Sequence, residues 1–442
     1  MNDPVGTIEE LLPEYLGRQR WFAGDAPDAV RIVEHKELEE GFRWMIVDAD
    51  GARYQVLVGF RPVNQPPEFL HGNENAVLGT VDGTLAFDAV LDADLARSLL
   101  ARVAPGEKAD HVRPIGVEQS HTSLIYDDRL LLKIFRRLHE GPNPEIEITD
   151  KLAAAGFAHV AAPLATWTLD DSSHLAVVQP YLVGGAEGWA LALTSLRDLY
   201  SADYDDPAEC GGDFAGEAWR LGEVTAAMHL AMAEVFGIKE GDPEAWASMA
   251  EAQLARLEED DADKERAKEF VDRLRAVENA GSAIRIHGDY HLGQVLRTDT
   301  GWFVLDFEGE PARPPEERHL LSSPLQDVAG MMRSFQYAAA VALAERGAAD
   351  HDELVPLAAA WEGRNRRSFL EGYLRTEGVD ALLPDVDDRP TVLTAFELDK
   401  AIYEVLYERS YRPDWVDIPR AAVSALLEPK DQSSERGPLS LG

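Results

Sequence analysis

Three β-branched or aromatic runs follow one another near the start of the chain, "AVRIVEHKEL", "FRWMIVDA" and "ARYQVLVGF". Runs of this kind predict strands, and "DADG" supplies a turn between the last two. "RPVNQPPEFLHGNENAV" is rich in Pro, Asn and Gly and reads as loop. A second β segment follows in "HVRPIGVEQS", "TSLIYDD" and "RLLLKIFRRL". A short helix is expected around "PEIEITDKLAAAG", opened by Pro144, and a strand at "HLAVVQPYL" that ends near Pro180. From Glu187 onward the apolar spacing becomes helical. "GDFAGEAWRLGEVTAAMHLAMAEVFG" predicts a helix with Asp213 as candidate N-cap. "PEAWASMAEAQLARLEEDDADKERAKEFVDRLRAVENA" reads as one or two helices with a solvated charged face. Further helices are expected at "LQDVAGMMRSFQYAAAVALAERG", "LAAAWEGRNRRSFLEGYL" and "TVLTAFELDKAIYEVLYERSY". The pattern predicts an α+β protein in three parts: a β-rich cap (1–88), a β-rich small lobe with one helix (89–183), and a mostly helical large lobe (184–442). A small lobe joined to a helical lobe by one crossing is a layout suited to holding a nucleotide in a cleft.

Composition narrows the partners. The chain has 442 residues, 45% of them apolar, which is enough for two or three domains with full cores. Its formal net charge of −38 offers no basic surplus to displace counterions from nucleic acid or to dock on anionic membrane. A single cysteine, Cys210, excludes an internal disulfide and a cysteine-based zinc site. No apolar run approaches the roughly 18 residues of a membrane helix. The N-terminus lacks a basic region followed by an apolar one. A cytoplasmic, monomeric protein with a small-molecule partner is the expectation.

The segment "IRIHGDYHLGQVLRTDTGWFVLDFEGEP", residues 284–311, carries the candidate chemistry. Phosphoryl transfer needs a carboxylate to orient the attacking hydroxyl and Mg²⁺ to neutralise phosphate oxygens. Here Asp289 precedes Gln294 by five residues, and Asp306 follows the apolar run Trp302–Leu305. "VLRTDTGWFVLDF" reads as strand, turn at Asp299–Gly301, strand. That hairpin would bring Gln294 and Asp306 to one end.

"HGDYHLGQVL" strongly resembles the catalytic loop of the aminoglycoside phosphotransferase and choline kinase superfamily. The resemblance implies a bilobal, protein-kinase-like fold with ATP as donor. It also implies Asp289 as catalytic base, Gln294 and Asp306 as Mg²⁺ ligands, and Glu308 as a further ligand. Gln294 departs from the usual Asn, and its extra methylene moves the amide by ~1.5 Å. A kinase also needs a strand lysine paired with a helix glutamate. "RLLLKIF" offers Lys133, and the following helix offers Glu145 and Glu147. "EQSHTSLIY" places Ser120, Thr122 and Ser123 in a turn ahead of Lys133, where hydroxyls and backbone N–H groups can bind phosphate. "VVQPYL" would present backbone groups of Gln179 and Tyr181 to adenine.

Longer blocks, among them "RQRWFAG", "EQSHTSLIYDDRLLLKIFRRL", "DFEGEP", "SPLQDVAGMMRSFQYAA" and "ELDKAIYE", look like the actinobacterial maltokinases, a group that includes kinases for other sugars such as glucosamine. This resemblance implies an N-terminal cap and a sugar acceptor, and favours Glu147 as the partner of Lys133. It implies a sugar site around Asp289, His291, Tyr337, Glu397, Lys400, Glu404 and Trp415. Glu397, Lys400 and Glu404 fall at i, i+3 and i+7 and share one helix face. Carboxylates beside Trp415 suit a protonated amino sugar better than neutral maltose. Glucosamine, phosphorylated on its primary hydroxyl, is therefore the favoured acceptor, with maltose second. A catalytically inactive ATP-binding scaffold is disfavoured, because base, metal acid and strand lysine are all present.

Overall fold

The computed structural model describes residues 4–22, 26–115, 121–138, 141, 143–169, 173–201, 204, 206–256, 264–310, 320–346 and 351–427. The chain forms two compact units, Met1–Asp150 with Ala161–Val183, and Lys151–Val160 with Gly184–Gly442.

The first unit opens on a helix that the strand-rich start did not predict, α1 (Pro4–Gly17). Ile8, Leu12, Tyr15 and Leu16 recur at helical spacing and are fully buried. An antiparallel sheet follows, built from β1 (Val30–Glu39), β2 (Phe42–Ala49), β3 (Ala52–Pro62), β4 (Val77–Val81) and β5 (Thr84–Asp88). Its order is β1-β2-β3-β5-β4. In β2, Met45 and Val47 pack with α1, whereas Trp44 and Ile46 enter a second core on the other face. Burial on both faces explains why "WMIV" is continuously apolar instead of alternating.

Next comes α2 (Ala93–Val103), also unpredicted, whose N-terminus is capped by the Asp92 carboxylate. A second sheet holds β6 (Val112–Pro114), β7 (His121–Tyr126), β8 (Leu130–Phe135), β10 (Ala165–Thr168) and β11 (His174–Pro180), in the order β10-β11-β8-β7-β6. The two-residue strand β9 (Arg137–Leu138) follows β8 and pairs with β3. Helix α3 (Pro144–Ala154) starts at the expected Pro144. Phe42, Trp44 and Leu57 share one core with Leu124, Leu132, Ile134 and Val178. The segments expected as cap and small lobe thus share a core within the first unit.

The second unit is mostly helical. It contains β12 (Ala186–Glu187), α4 (Gly188–Ser201), α5 (Ala215–Phe236), β13 (Ile238–Glu240), α6 (Pro243–Leu254), α7 (Lys264–Arg275) and β14 (Ser282–Ile284). The hairpin of β15 (Val295–Thr298) and β16 (Gly301–Val304) follows, then α8 (Leu325–Arg346), α9 (His351–Leu374), α10 (Arg389–Tyr411) and α11 (Asp417–Leu427). Among the described residues no helix is long and apolar enough to cross a membrane.

Candidate active site

The hairpin expected in the second unit is present, with Val295 opposite Val304 and Thr298 opposite Gly301, so that Gly301 opens the second strand. One further backbone bond, Leu305 N–H to the Gln294 carbonyl at 2.9 Å, extends the ladder past the strands. Gln294 Nε2 therefore lies 3.4 Å from Asp306 Oδ2. Asp306 has φ +59, a left-handed conformation uncommon outside glycine and costly enough to mark a constrained position. Glu308 follows two residues later and is partly buried.

His287 ties this hairpin to the loop carrying Asp289. Its Nε2 lies 2.8 Å from the Leu305 carbonyl, and its Nδ1 accepts the Asp289 N–H at 3.3 Å. An acceptor at Nδ1 and a carbonyl opposite Nε2 fix the proton on Nε2. The loop is held from behind by buried Asp327 of α8, which accepts the N–H groups of His287 and Gly288 at 2.8 and 2.9 Å. His229 of α5 completes the support, with Nε2 3.1 Å from Asp327 and Nδ1 2.9 Å from the Tyr373 hydroxyl. Burial opposes charge on Asp327, but bonding to His229 outweighs it and lowers the carboxyl below its ordinary value. At Gly330 a Cβ would sit 2.6 Å from the Tyr290 carbonyl, so only glycine lets α8 approach this closely.

Asp289 projects from the loop with its side chain 16% exposed. Lys400 of α10 donates to its Oδ1 at 3.1 Å, and His291 Nε2 lies 3.7 Å from its Oδ2. The His291 Nδ1 accepts the Gly293 N–H at 3.0 Å, which leaves Nε2 as the protonated nitrogen facing Asp289. Burial pushes the Asp289 carboxyl up, but Lys400 and His291 overcome this and hold it well below the usual carboxylate range. Lys400 also donates to buried Glu310. Burial disfavours its charge, yet Glu310, Asp289 and Glu404 raise the ammonium above its ordinary value.

The predicted helix face on α10 exists, with its charges turned inward. Glu397 is 3% exposed, and both its oxygens accept from Arg366 Nη2, at 2.8 and 2.7 Å. Where a direct sugar contact was expected, Glu397 pairs with a partly buried guanidinium on α9. Glu404 is bonded by buried Arg333 of α8. One turn further, Glu408 accepts the Tyr337 hydroxyl at 2.7 Å and Arg412 at 2.9 Å. Burial, then Glu408, raises the Tyr337 phenol above its ordinary value. Trp415 stacks on Tyr337 with ring centres 6.2 Å apart and an interplanar angle of 19°. At a rise of about 1.5 Å per residue, the stripe from Lys400 to Glu408 spans about 12 Å. Asp414 and Asp417 beside Trp415 are exposed.

In the first unit, Lys133 Nζ lies 2.5 Å from Glu145 Oε2, and both side chains are buried. The ion pair therefore uses Glu145, where Glu147 was favoured. Residues two apart lie about 200° apart around a helix, so only one of the two can face the strand. Thr122 and Ser123 diverge likewise, because strand neighbours point to opposite faces. Ser123 is buried directly across from Lys133 in the β7–β8 register. Thr122 faces the other way and accepts from Arg136 Nε at 2.9 Å, which corrects its expected place among the phosphate contacts. Ser120 lies outside the described residues. Gln179 pairs with Leu131 near the end of β11. The Tyr181 N–H donates to the Arg129 carbonyl at 2.9 Å, which leaves its carbonyl as the backbone group to offer a ligand.

Residues 111–362 match the model of the phosphotransferase enzyme family, and residues 15–93 match the maltokinase N-terminal cap domain. The chain belongs to the phosphotransferase enzyme family. This phosphotransferase is 30% identical over 330 residues to a glucosamine kinase of Mycolicibacterium smegmatis (strain ATCC 700084 / mc(2)155), covering 72% of this chain and 79% of that protein. It is also 30% identical over 340 residues to a glucosamine kinase of Streptacidiphilus jiangxiensis, covering 71% and 73%. A solved glucosamine kinase in complex with glucosamine, ADP and inorganic phosphate superposes with a TM-score of 0.66 at 25% identity, over 95% of this chain and 99% of that one.

Sequence reasoning missed Glu310, Asp327, Arg333 and Arg366. Asp327 and Arg333 sit inside the block "SPLQDVAGMMRSFQYAA", where charges in an apolar helix were a usable signal. Nothing local distinguishes Glu310 from its acidic neighbours.

Proposed function

We propose that the protein is an ATP- and Mg²⁺-dependent glucosamine kinase that phosphorylates the sugar's primary hydroxyl. The observation that carries this reading is Asp289 held ionised between Lys400 and His291, on a loop tied by His287 to the Gln294–Asp306 pair. The relatives support it by their names and by the ADP and glucosamine bound in one of them.

Asp289 accepts a hydrogen bond from the acceptor hydroxyl and orients its oxygen toward the donor phosphate. A carboxylate with a depressed pKa is a weak base. That suits a loose phosphoryl-transfer transition state, in which positioning matters more than early proton removal. Lys133, fixed by Glu145, is placed to bind donor phosphates. Asp306 offers a partly exposed carboxylate, and Gln294, whose amide nitrogen faces it here, brings its amide oxygen to the same place by turning the amide over, a set that fits a hard divalent cation. Magnesium held by these two residues would neutralise phosphate oxygens. The Tyr337–Trp415 stack supplies an aromatic face on which a sugar ring can pack, and Glu404 stands beside it.

Incubation with Mg²⁺-ATP and a panel of sugars tests the assignment. ADP release with glucosamine and not with maltose is the expected result. Turnover of maltose in preference to glucosamine would replace it with a maltokinase. ATP binding without turnover of any sugar would favour an inactive scaffold.

A further inference from the structure

The maltokinase-like block "RQRWFAG" and the first helix take no part in the site described above. The first unit nevertheless joins them to β7. Arg136, just after β8, is fully buried. Its Nη2 donates to Asp88 Oδ2 at 2.6 Å, and its Nε donates to Thr122 Oγ1 at 2.9 Å. The hydroxyl of Tyr15, on α1, donates to the same Asp88 oxygen at 2.9 Å. The guanidinium carbon lies 5.1 Å from the centre of the Trp21 ring, and Trp21 packs edge-on to Tyr15 at 6.2 Å. The cluster thus joins α1, the end of β5, the end of β8 and the second residue of β7.

We propose that Arg136, Asp88 and Tyr15 are positioning residues for donor binding: through them the cap fixes Thr122, and with it the entry of β7 beside Lys133. This rests on the reading of Lys133 as a phosphate-binding residue.

Three observations carry it. Thr122 is the immediate neighbour of Ser123, which is the register partner of Lys133. Restraining Thr122 on one face of the strand therefore sets the backbone on the other. Next, Arg136 bonds the cap twice over, since its own carbonyl accepts the Gln55 N–H of β3 at 2.7 Å. Finally, a buried ion pair is a poor choice for stability alone, because well-packed apolar residues often do as well, whereas its directional bonds hold one geometry. Burial, then Asp88, holds the Tyr15 phenol well above its ordinary range, so it remains a donor near neutral pH.

The test uses full-length protein and four variants: Thr122→Val, Thr122→Ser, Tyr15→Phe, and the Tyr15→Phe/Thr122→Val pair. ADP affinity by calorimetry, KM for ATP, KM for glucosamine and melting temperature are measured on each. Thr122→Val is expected to weaken ADP binding and raise KM for ATP about fivefold, the scale of one hydrogen bond. Thr122→Ser keeps the acceptor oxygen and should stay within about twofold of wild type. Tyr15→Phe should shift ADP affinity in the same direction with KM for glucosamine unchanged. The double variant should lose less than the sum of the single losses. Unchanged ADP affinity in both single variants, whatever their melting temperatures, overturns the inference while leaving the kinase reading intact. A wild-type protein that binds no ADP overturns both.

Discussion

Lys400 Nζ on α10 lies 3.1 Å from Asp289 Oδ1, and the same ammonium is bonded by Glu310. One cation thus serves two carboxylates 21 positions apart in sequence, one partly exposed on its loop and one buried. The first prediction follows from the signs. Asp289 has a folded-state pKa below its unfolded value, so its pairing contributes stability above about pH 3.9, lost as pH falls through the folded value. Lys400 is raised, so its contribution is present below about pH 10.4 and is lost as pH rises through the folded value. Both operate at neutral pH. Lys400→Met removes the cation shared by two largely buried carboxylates and should cost about 3–5 kcal/mol at pH 7. The deficit should narrow toward pH 5, where the carboxylates, now raised by burial, take up protons. Denaturant titrations at the two pH values measure it; a deficit independent of pH contradicts the pairing.

Asp289→Asn should lower kcat by about 10² or more with little change in ADP affinity, since it removes the hydroxyl-orienting carboxylate and leaves the donor contacts. Near-normal turnover would show that another group does this work.

Asp306→Ala should weaken nucleotide binding in the presence of Mg²⁺ and change it little in EDTA. Calorimetry under both conditions separates a metal ligand from a residue that merely stiffens the hairpin, which would lose affinity equally in each.

Glu145→Gln should raise KM for ATP about tenfold or more, because it removes the buried carboxylate bonded to Lys133, whereas Glu147→Gln should change it by less than about threefold. Steady-state kinetics on the two variants decide which glutamate fixes the lysine.

Glu397→Ala should cost about 1–3 kcal/mol by leaving the Arg366 guanidinium with Glu362, 3.5 Å away, as its remaining carboxylate. A KM for glucosamine unchanged in the protein that remains folded would separate this structural role from acceptor binding.

The sequence by itself determined the elements with strong periodicity and the short-range chemistry. The long central helices of the second unit, strands β1–β3, β6–β8 and β11, and the β15–β16 hairpin were legible because their patterns are local, whereas β4, β5, β10, α4 and α11 were not named. Gln294 and Asp306 come together through one tight turn, so spacing sufficed to pair them. Helices α1 and α2 were missed because each is short and lies beside strands whose apolar runs dominate the window. Only the tertiary structure decided where charges point. It chose Glu145 over Glu147 and turned Thr122 away from Ser123, because the phase of a helix or strand is set by what packs on it. It also placed Glu310 with Lys400, Glu397 with Arg366, and Arg136 with Asp88 and Thr122. Partners 14 to 90 positions apart leave no mark on local pattern, because a buried charge selects its counter-charge by distance in space.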